Sequence, residues 1–219
     1  MEDSSIQIKN FSADGIILGF TGSISSGCSL FAKTLSAIDN YQYRYYSLSD
    51  PIHEIANKLL EEGKIKQKTQ ELLQDIGNDL RKTEGSHYLA KLILKQIDED
   101  CGSESFDKVV IDSIRNDWEV KYLRQFPNFF LISVYAKSET RFARWSEKNP
   151  TASLQDFERV DLRDTSEIYE YGQKVEKCTY ESDIVINNDT PIEIGNPVAE
   201  QTHVKSKLEK YLELIEFDR

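Results

Sequence analysis

The sequence predicts an α/β fold, with a mostly parallel central sheet covered by helices on both faces. Short apolar runs typical of buried strands lie at residues 15–20, 108–112, 129–135 and 182–187. Segments with the apolar spacing of helices separate these runs, and such alternation is typical of parallel sheets. A loop rich in glycine and serine follows the first strand and leads into the first helix, an order that suits phosphate binding.

The elements in the first part of the chain follow from local sequence. Residues 30–38 show helical spacing of apolar side chains after the glycine loop. Residues 41–48 are rich in aromatics and predict a further strand. This strand ends before Asp50 and Pro51, a typical N-cap and first helical residue, so we expect a helix that continues to about residue 62.

Further along, helical regions alternate with the later strands. A long helical region at residues 67–98 is interrupted near Gly85. A helix at residues 116–126 stops before Pro127. Two more helices are expected at residues 138–147 and 205–217, and residues 148–177 are charged and poor in core residues.

Composition indicates one folded domain without a general attraction for polyanions. The chain has 219 residues, 39% of them hydrophobic, and a formal net charge of −11. Nucleic acid and anionic membranes are therefore not expected as partners. Three widely spaced cysteines favour neither a disulfide framework nor a zinc site. We expect a polar lead-in at residues 1–14 and a single domain at 15–219. We also expect a cytoplasmic location, because no apolar stretch approaches the ~20 residues of a membrane helix.

Residues 22–29, Gly-Ser-Ile-Ser-Ser-Gly-Cys-Ser, have the spacing of a phosphate-binding P-loop with cysteine in place of lysine. The two glycines let the backbone curl around an anion, and the helix that follows adds its positive dipole end. The hydroxyl of Ser29 is placed to bind Mg²⁺, so the expected ligand is ATP or another nucleotide with Mg²⁺. The alternative is a tight, flexible turn. The residues expected to bind the nucleotide are Gly22, Ser23, Ser25, Ser26, Gly27, Cys28 and Ser29.

Cys28 stands where a P-loop lysine would follow the charge of a transferred phosphoryl group. A thiol cannot do this, and Lys33 lies about a turn and a half further along the next helix. A thiol at a helix N-terminus can instead have a lowered pKa and react readily. The alternative for Cys28 is a small, inert residue packed in the loop.

Polar residues after other strands extend the candidate site. Asp112 follows a buried strand, and ligands of parallel sheets bind beyond the carboxyl ends of the strands. We predict that Asp112 holds Mg²⁺ or assists an acceptor hydroxyl, and that Arg115 holds a phosphate. Asp50 and Arg81 are predicted to bind the acceptor substrate. The alternatives are helix capping for the two aspartates and a solvated position for Arg81.

Residues 138–178 are predicted to form a mobile lid. Arg141 and Arg144 share one face of a helix, and Arg163 follows in the charged segment. Arginines on such segments exclude water and neutralise phosphate charge when the segment closes. The alternative is a solvated face whose arginines pair with the acids of the same segment. The expected catalytic residues are Asp112, Arg115, Arg141, Arg144 and Arg163.

Several motifs, taken in order, resemble those of P-loop kinases that act on deoxynucleoside monophosphates or dephospho-CoA. They lie at residues 20–29, at 73–81 and at 112–124, which begins Asp-Ser-Ile-Arg-Asn. With residues 171–186, the chain more closely resembles the P-loop domain that precedes the deaminase domain of antiphage deoxycytidylate deaminases. That domain also tends to carry cysteine in its loop. The resemblance covers about residues 15–190, and no deaminase domain is expected in the remaining residues.

The resemblance implies a nucleotide-kinase fold of the P-loop NTPase class and leaves three functions open. The first is a phosphotransferase that phosphorylates a (deoxy)nucleotide or a similar small molecule with ATP. The second is a pseudokinase that binds nucleotide and regulates a partner such as a deaminase, for which the lysine is not needed. The third is a scaffold with an empty site.

Overall fold

A parallel sheet forms the centre of the structure, a computed structural model that describes residues 10–12, 14–38, 41–104, 106–165, 169–189 and 197–217. The strands in this part of the chain are β1 (Ile16–Thr21), β2 (Arg44–Ser47), β3 (Lys108–Asp112), β4 (Phe129–Tyr135) and β5 (Ile184–Asn187). They lie in the order β2-β3-β1-β4-β5, and every neighbouring pair is parallel. The strand order reverses direction at β1, so a ligand crevice is expected beyond its carboxyl end.

Helices follow the strands and cover the sheet. They are α1 (Cys28–Ser36), α2 (Asp50–Glu61), α3 (Gln70–Glu84), α4 (Tyr88–Cys101), α5 (Asp117–Leu123), α6 (Ser138–Lys148), α7 (Leu154–Thr165), α8 (Val175–Tyr180) and α9 (Pro197–Phe217). No helix among the described residues is long and apolar enough to cross a membrane.

Alternate residues of β1 belong to two hydrophobic cores on opposite faces of the sheet. Leu18 packs in a core with Phe31 of α1 and Leu208 of α9. Ile17 packs in the other core, with Ile93 of α4 and Val120 of α5. Because a strand that is buried on both faces must be apolar throughout, β1 reads as a continuous apolar run. The predicted α/β fold with helices on both faces is confirmed.

Several element boundaries differ from those predicted. Ser49 is the N-cap of α2, and Asp50 is the first helical residue rather than the cap. The interruption near Gly85 is confirmed, since α3 ends there with a φ of +111°. The last helix begins at Pro197, before the expected residue 205. Residues 1–9 of the expected lead-in lie outside the described residues, and Phe11 packs against Phe106.

Residues 148–177 were expected to be charged and poor in core residues, and their few buried apolar side chains form part of a small core. This stretch contains α7, whose Phe157 and Val160 are buried in a small core with Ile24 and Trp145. The apolar residues of α7 are few and stand among charged ones, so the helix has a strong polar character in the sequence. Its buried residues nevertheless attach it to the glycine loop.

Candidate functional site

The glycine loop connects the end of β1 to the start of α1 and forms a concave backbone. Ser25 and Gly27 both have positive φ angles, +60° and +100°. Positive φ angles at alternate residues turn successive backbone N–H groups to one side and make an anion-binding nest. Within the described part of the chain, the backbone N–H groups of Gly27, Cys28 and Ser29 donate to no carbonyl or side chain. The loop therefore has donors available for an anion.

Close approach of the backbone explains why glycine occupies both ends of the loop. A Cβ at Gly22 would lie 2.6 Å from the carbonyl oxygen of Val134. A Cβ at Gly27 would lie 2.5 Å from Nδ2 of Asn188. Any side chain at either position would push the loop away from β4 or from the residue after β5.

Asn188 and Arg144 hold the loop from the side of β5. The side-chain amide of Asn188 donates to the carbonyl of Ser26 at 2.8 Å. Arg144 donates to the same carbonyl at 3.2 Å and to the Asn188 carbonyl at 2.8 Å. Asn188 was missed in the sequence, although it directly follows a predicted strand and the rule applied to Asp112 would have identified it.

Cys28 is buried against Asp112 rather than turned toward solvent. Its thiol donates to Oδ1 of Asp112 at 3.3 Å, and the Tyr45 hydroxyl donates to Oδ2 at 2.8 Å. Burial raises the pKa of the Cys28 thiol well above its ordinary value, and the charge of Asp112 raises it further. The hypothesis of a reactive thiol with a lowered pKa is therefore wrong, and the structure supports the inert alternative.

Arg115 is joined to the glycine loop through Asp164 of α7. Its Nη1 lies 2.6 and 2.7 Å from the two carboxylate oxygens of Asp164. Asp164 is fully buried and also accepts the backbone N–H of Ile24, in the loop, at 2.9 Å. Burial lowers the pKa of Arg115, but the Asp164 carboxylate and other nearby groups, among them Asp112, together raise it above its ordinary value. The guanidinium is thus a permanent positive charge at the loop.

A cavity of about 720 Å³ opens in front of the loop. It lies between residues 23–30, the linker and start of α3 at residues 67–73, and the α6–α7 region. Among the residues proposed from the sequence, those that line it are Ser23, Ser25, Ser26, Gly27, Cys28, Ser29, Arg115 and Arg144. The lining also includes residues absent from the predicted site, among them the cations Lys68, Lys148 and Arg159, the acids Glu71, Glu147 and Asp156, and Trp145 and Asn188.

Some residues proposed from the sequence do not line this cavity. Arg81 is 1% exposed and forms a buried ion pair with Glu119 at 2.8 Å, so it makes no contact with an acceptor site here. Asp50 is exposed at the start of α2. Gly22 and Asp112 are buried behind the loop. The predicted roles of Asp50 and Asp112 stay predictions.

Two of the arginines expected to close over phosphates are paired with carboxylates instead. Arg141 is buried, pairs with Asp161 and donates to the carbonyl of Ile24 at 3.3 Å. Arg163 pairs with Asp75 of α3. The alternative of a solvated face that pairs with acids of its own segment holds only in part, because Arg141 is buried and the partner of Arg163, Asp75, lies outside the segment. The mobility of residues 138–178 stays a prediction, and residues 166–168 lie outside the described part of the chain.

The predicted metal ligands are only partly arranged for a cation. Ser29 is exposed at the cavity, whereas both carboxylate oxygens of Asp112 already accept hydrogen bonds. Among the described residues, no group of three or more His, Cys, Asp and Glu side chains could hold a metal ion. Protein-bound Mg²⁺ usually keeps several waters and takes few protein ligands when it accompanies phosphates. Of the two predicted ligands, Ser29 is the one whose side chain lies open to the cavity.

Sequence comparison identifies the family of this chain. It is 32% identical to a UPF0200 protein of Methanosarcina acetivorans over 138 residues, which are 62% of this chain and 71% of that protein. The chain belongs to the UPF0200 family. A UPF0200 protein of Methanosarcina mazei is 31% identical over 141 residues, 63% of this chain and 68% of that protein. No family model matches the sequence.

The share of each UPF0200 relative that is matched varies. The UPF0200 protein of Methanosarcina barkeri is 33% identical over 122 residues, which cover 54% of this chain and 61% of that relative. The chain thus spans less than two thirds of that protein. The names of these relatives state no ligand, so the ligand of this UPF0200 chain has to be inferred from its own cavity.

Solved structures with a similar arrangement include several kinases. An APS kinase of Mycobacterium tuberculosis is 13% identical, with a TM-score of 0.49 over 90% of this chain and 98% of that one. A gluconokinase of Sinorhizobium meliloti is 12% identical, with a TM-score of 0.47 over 94% and 97%. Because these TM-scores lie below 0.5, the fold of this UPF0200 chain is assigned from its own sheet order and glycine loop and not from these structures.

Proposed function

We propose that this protein binds a nucleoside triphosphate, such as ATP, at residues 22–29 and transfers a phosphoryl group as nucleotide kinases do. The observation that carries this proposal is the loop itself. Left-handed residues at Ser25 and Gly27 leave backbone N–H groups without a partner in the described chain, at the start of α1. A helix N-terminus with such donors favours phosphate.

The charge around the cavity supports the same ligand. Among the residues that the structure describes, five cationic side chains line it against three acidic ones, although the chain as a whole carries a formal charge of −11. A focused positive site in an acidic protein selects a small anion and not a long polyanion. The cavity volume of about 720 Å³ lies within the range of small-molecule sites.

Mg²⁺ belongs to this proposal because triphosphates bind in proteins with that ion. Ser29 would contribute a hydroxyl to it, and the ion would neutralise charge on the phosphate oxygens. The acceptor would be a (deoxy)nucleotide or a similar small molecule with a nucleophilic oxygen. A cytoplasmic location, and a single domain at residues 15–219 with a lid at 138–178, are part of the proposal and follow from composition and pattern.

Cys28 favours a second candidate, a nucleotide-binding module without phosphotransfer. In the position of the lysine the chain has a neutral thiol, hydrogen-bonded to Asp112. The second oxygen of Asp112 accepts from Tyr45, so this carboxylate is already engaged on both sides. Such a module would act by changing affinity for a partner. A deaminase is one such partner, suggested by the sequence resemblance alone.

Calorimetry with Mg²⁺ across ATP, GTP, the deoxynucleoside triphosphates and AMP tests the proposal. A product assay with nucleoside monophosphates follows for each triphosphate that binds. We expect micromolar binding of at least one triphosphate and slow transfer. Triphosphate binding without transfer would favour the regulatory module. If no triphosphate binds, the kinase proposal is refuted, and if AMP does not bind either, both candidates are refuted. Gly27→Val is the matched negative control, because its Cβ would clash with the side-chain amide of Asn188.

A further inference from the structure

The glycine loop lacks a positive charge of its own at the position that faces the phosphates. In P-loop proteins a lysine supplies that charge to the β- and γ-phosphates. Here the residue is Cys28, which is buried and neutral. If a triphosphate binds at this loop, another cation has to approach the same phosphate oxygens.

Arg115 lies at the loop and is held there from three sides. Its backbone N–H donates to Glu119 at 3.0 Å, and its carbonyl accepts the N–H of Lys174 at 2.7 Å. Its guanidinium is paired with Asp164, which also binds the loop N–H of Ile24. An arginine fixed in this way loses little conformational entropy when it binds a ligand.

Part of the Arg115 guanidinium remains available to a ligand. Nη1 makes both contacts with Asp164, and Nε and Nη2 donate no hydrogen bond within the described part of the chain. The side chain is 21% exposed and lines the cavity together with Cys28. Its positive charge also opposes the rise in the pKa of Cys28, which places the two side chains within electrostatic reach.

The other cations at the cavity are less suited to this position. Arg159 pairs with two carboxylates, and Arg144 donates to backbone carbonyls of the loop and of Asn188. Lys68 donates to the side-chain oxygen of Asn57. Lys148 is exposed at the end of α6, where no pairing fixes its flexible side chain among the described residues.

We infer that Arg115 replaces the missing P-loop lysine and binds the β- and γ-phosphates of the nucleotide, with Asp164 as its positioning residue. This inference rests on the proposed binding of a triphosphate. Arg115 was expected from the sequence to hold a phosphate. The shared carboxylate of Asp164 attaches it to the glycine loop, which points to the donor phosphates.

The test compares ATP with AMP, which lacks the β- and γ-phosphates. Calorimetry on the purified full chain with Mg²⁺ gives both affinities for wild type, Arg115→Gln and the matched control Arg44→Gln; Arg44 is exposed, pairs with Glu104 and does not line the cavity. Arg115→Gln should weaken ATP binding by about 10- to 100-fold, the range of a hydrogen bond to a charged group, and leave AMP binding within about threefold. Arg44→Gln should change neither affinity by more than about threefold. Adding Cys28→Lys to Arg115→Gln should restore ATP binding.

The outcomes separate this inference from the proposed function. If wild type does not bind ATP or any other triphosphate, the proposed function fails and the inference with it. If wild type binds ATP and Arg115→Gln binds it equally well, the inference alone is overturned. Should Arg115→Gln fail to fold by circular dichroism, Cys28→Lys in the wild-type background decides. If Cys28→Lys raises the affinity for ATP by less than about threefold, the result supports Arg115 as the cation that already replaces the P-loop lysine. A larger gain overturns the inference.

Discussion

The Sγ atom of Cys28 lies 3.3 Å from Oδ1 of Asp112, and the thiol donates its proton to that carboxylate. This contact joins the first residue of α1 to the last residue of β3. The Tyr45 hydroxyl binds the second oxygen of Asp112. Three residues from separate elements thus form a short hydrogen-bonded chain behind the loop, where a P-loop kinase would have a lysine and an acid. Both the proposed kinase and the regulatory alternative have to work with this arrangement.

We predict that Cys28 resists alkylation. Only the thiolate attacks an alkylating reagent, and burial raises the pKa of this thiol well above its ordinary value, so the thiolate forms only at high pH. Iodoacetamide labelling at pH 7.5, followed by peptide mass spectrometry, should modify Cys28 at least ~10-fold more slowly than a free cysteine. Cys101, which is only partly buried, is the internal comparison. Rapid, stoichiometric labelling of Cys28 that nucleotide blocks would contradict this prediction.

Gly27→Ala should abolish nucleotide binding and destabilise the fold. Gly27 has a φ of +100°, where a side chain costs about 1–2 kcal/mol, and a Cβ there would lie 2.5 Å from the Asn188 amide nitrogen. Gly63→Ala is the matched control, because Gly63 also has a positive φ, +68°, but nothing within 4 Å of its Cβ position. Both variants should lose stability in urea unfolding, and only Gly27→Ala should lose ATP binding in calorimetry. Equal loss of binding in both would show that the effect is global.

The strands and the glycine loop were predictable because their signals are local. A strand buried on both faces has to be apolar along its whole length, and β3 and β4 have the predicted bounds. The loop has fixed spacing between its two glycines, and each glycine is required by an approach of less than 3 Å. Signals of this kind are present in the residues themselves.

The roles of the arginines were not predictable from local sequence because their partners are distant in the chain. Arg81 binds Glu119, 38 residues away, and Arg163 binds Asp75, 88 residues away. An arginine on a helix has the same local pattern whether it faces a carboxylate, a phosphate or water. Only tertiary packing decides between these, since α5 supplies Glu119 to Arg81 and α3 supplies Asp75 to Arg163, and a single sequence does not give that packing.

Glu119→Gln should be strongly destabilising. The Glu119 carboxylate accepts from Nε of Arg81 and from the backbone N–H groups of Arg115 and Asn116. Removing one member of a buried ion pair leaves an uncompensated charge and typically costs about 3–5 kcal/mol. Glu99→Gln, in the exposed pair of Lys95 and Glu99, should cost less than about 1 kcal/mol. Urea unfolding of the two variants checks this, and similar losses would argue that Arg81 finds another partner.

Phe157→Ala should detach α7 from the loop before it unfolds the sheet. Phe157 is fully buried in the small core with Ile24 and Trp145, and removing a buried phenylalanine side chain costs about 3–5 kcal/mol. Because this core is separate from the two cores of the sheet, the loss should be local. In a Trp118→Phe background, the fluorescence of Trp145 should shift to the red, and amide exchange across residues 138–165 should accelerate, with nucleotide binding weakened.

Leu154→Ala is the matched control for this prediction, since Leu154 lies on the same helix and is 49% exposed. It should leave the emission of Trp145 and the exchange rates nearly unchanged. If Phe157→Ala instead lowers the stability of the whole chain in one transition, α7 is part of the cooperative fold and does not act as a lid. If it leaves Trp145 and exchange unaltered, the packing of α7 on the loop contributes little. Only local loosening agrees with a segment that closes over the cavity through Phe157 and through the contact of Asp164 with Ile24.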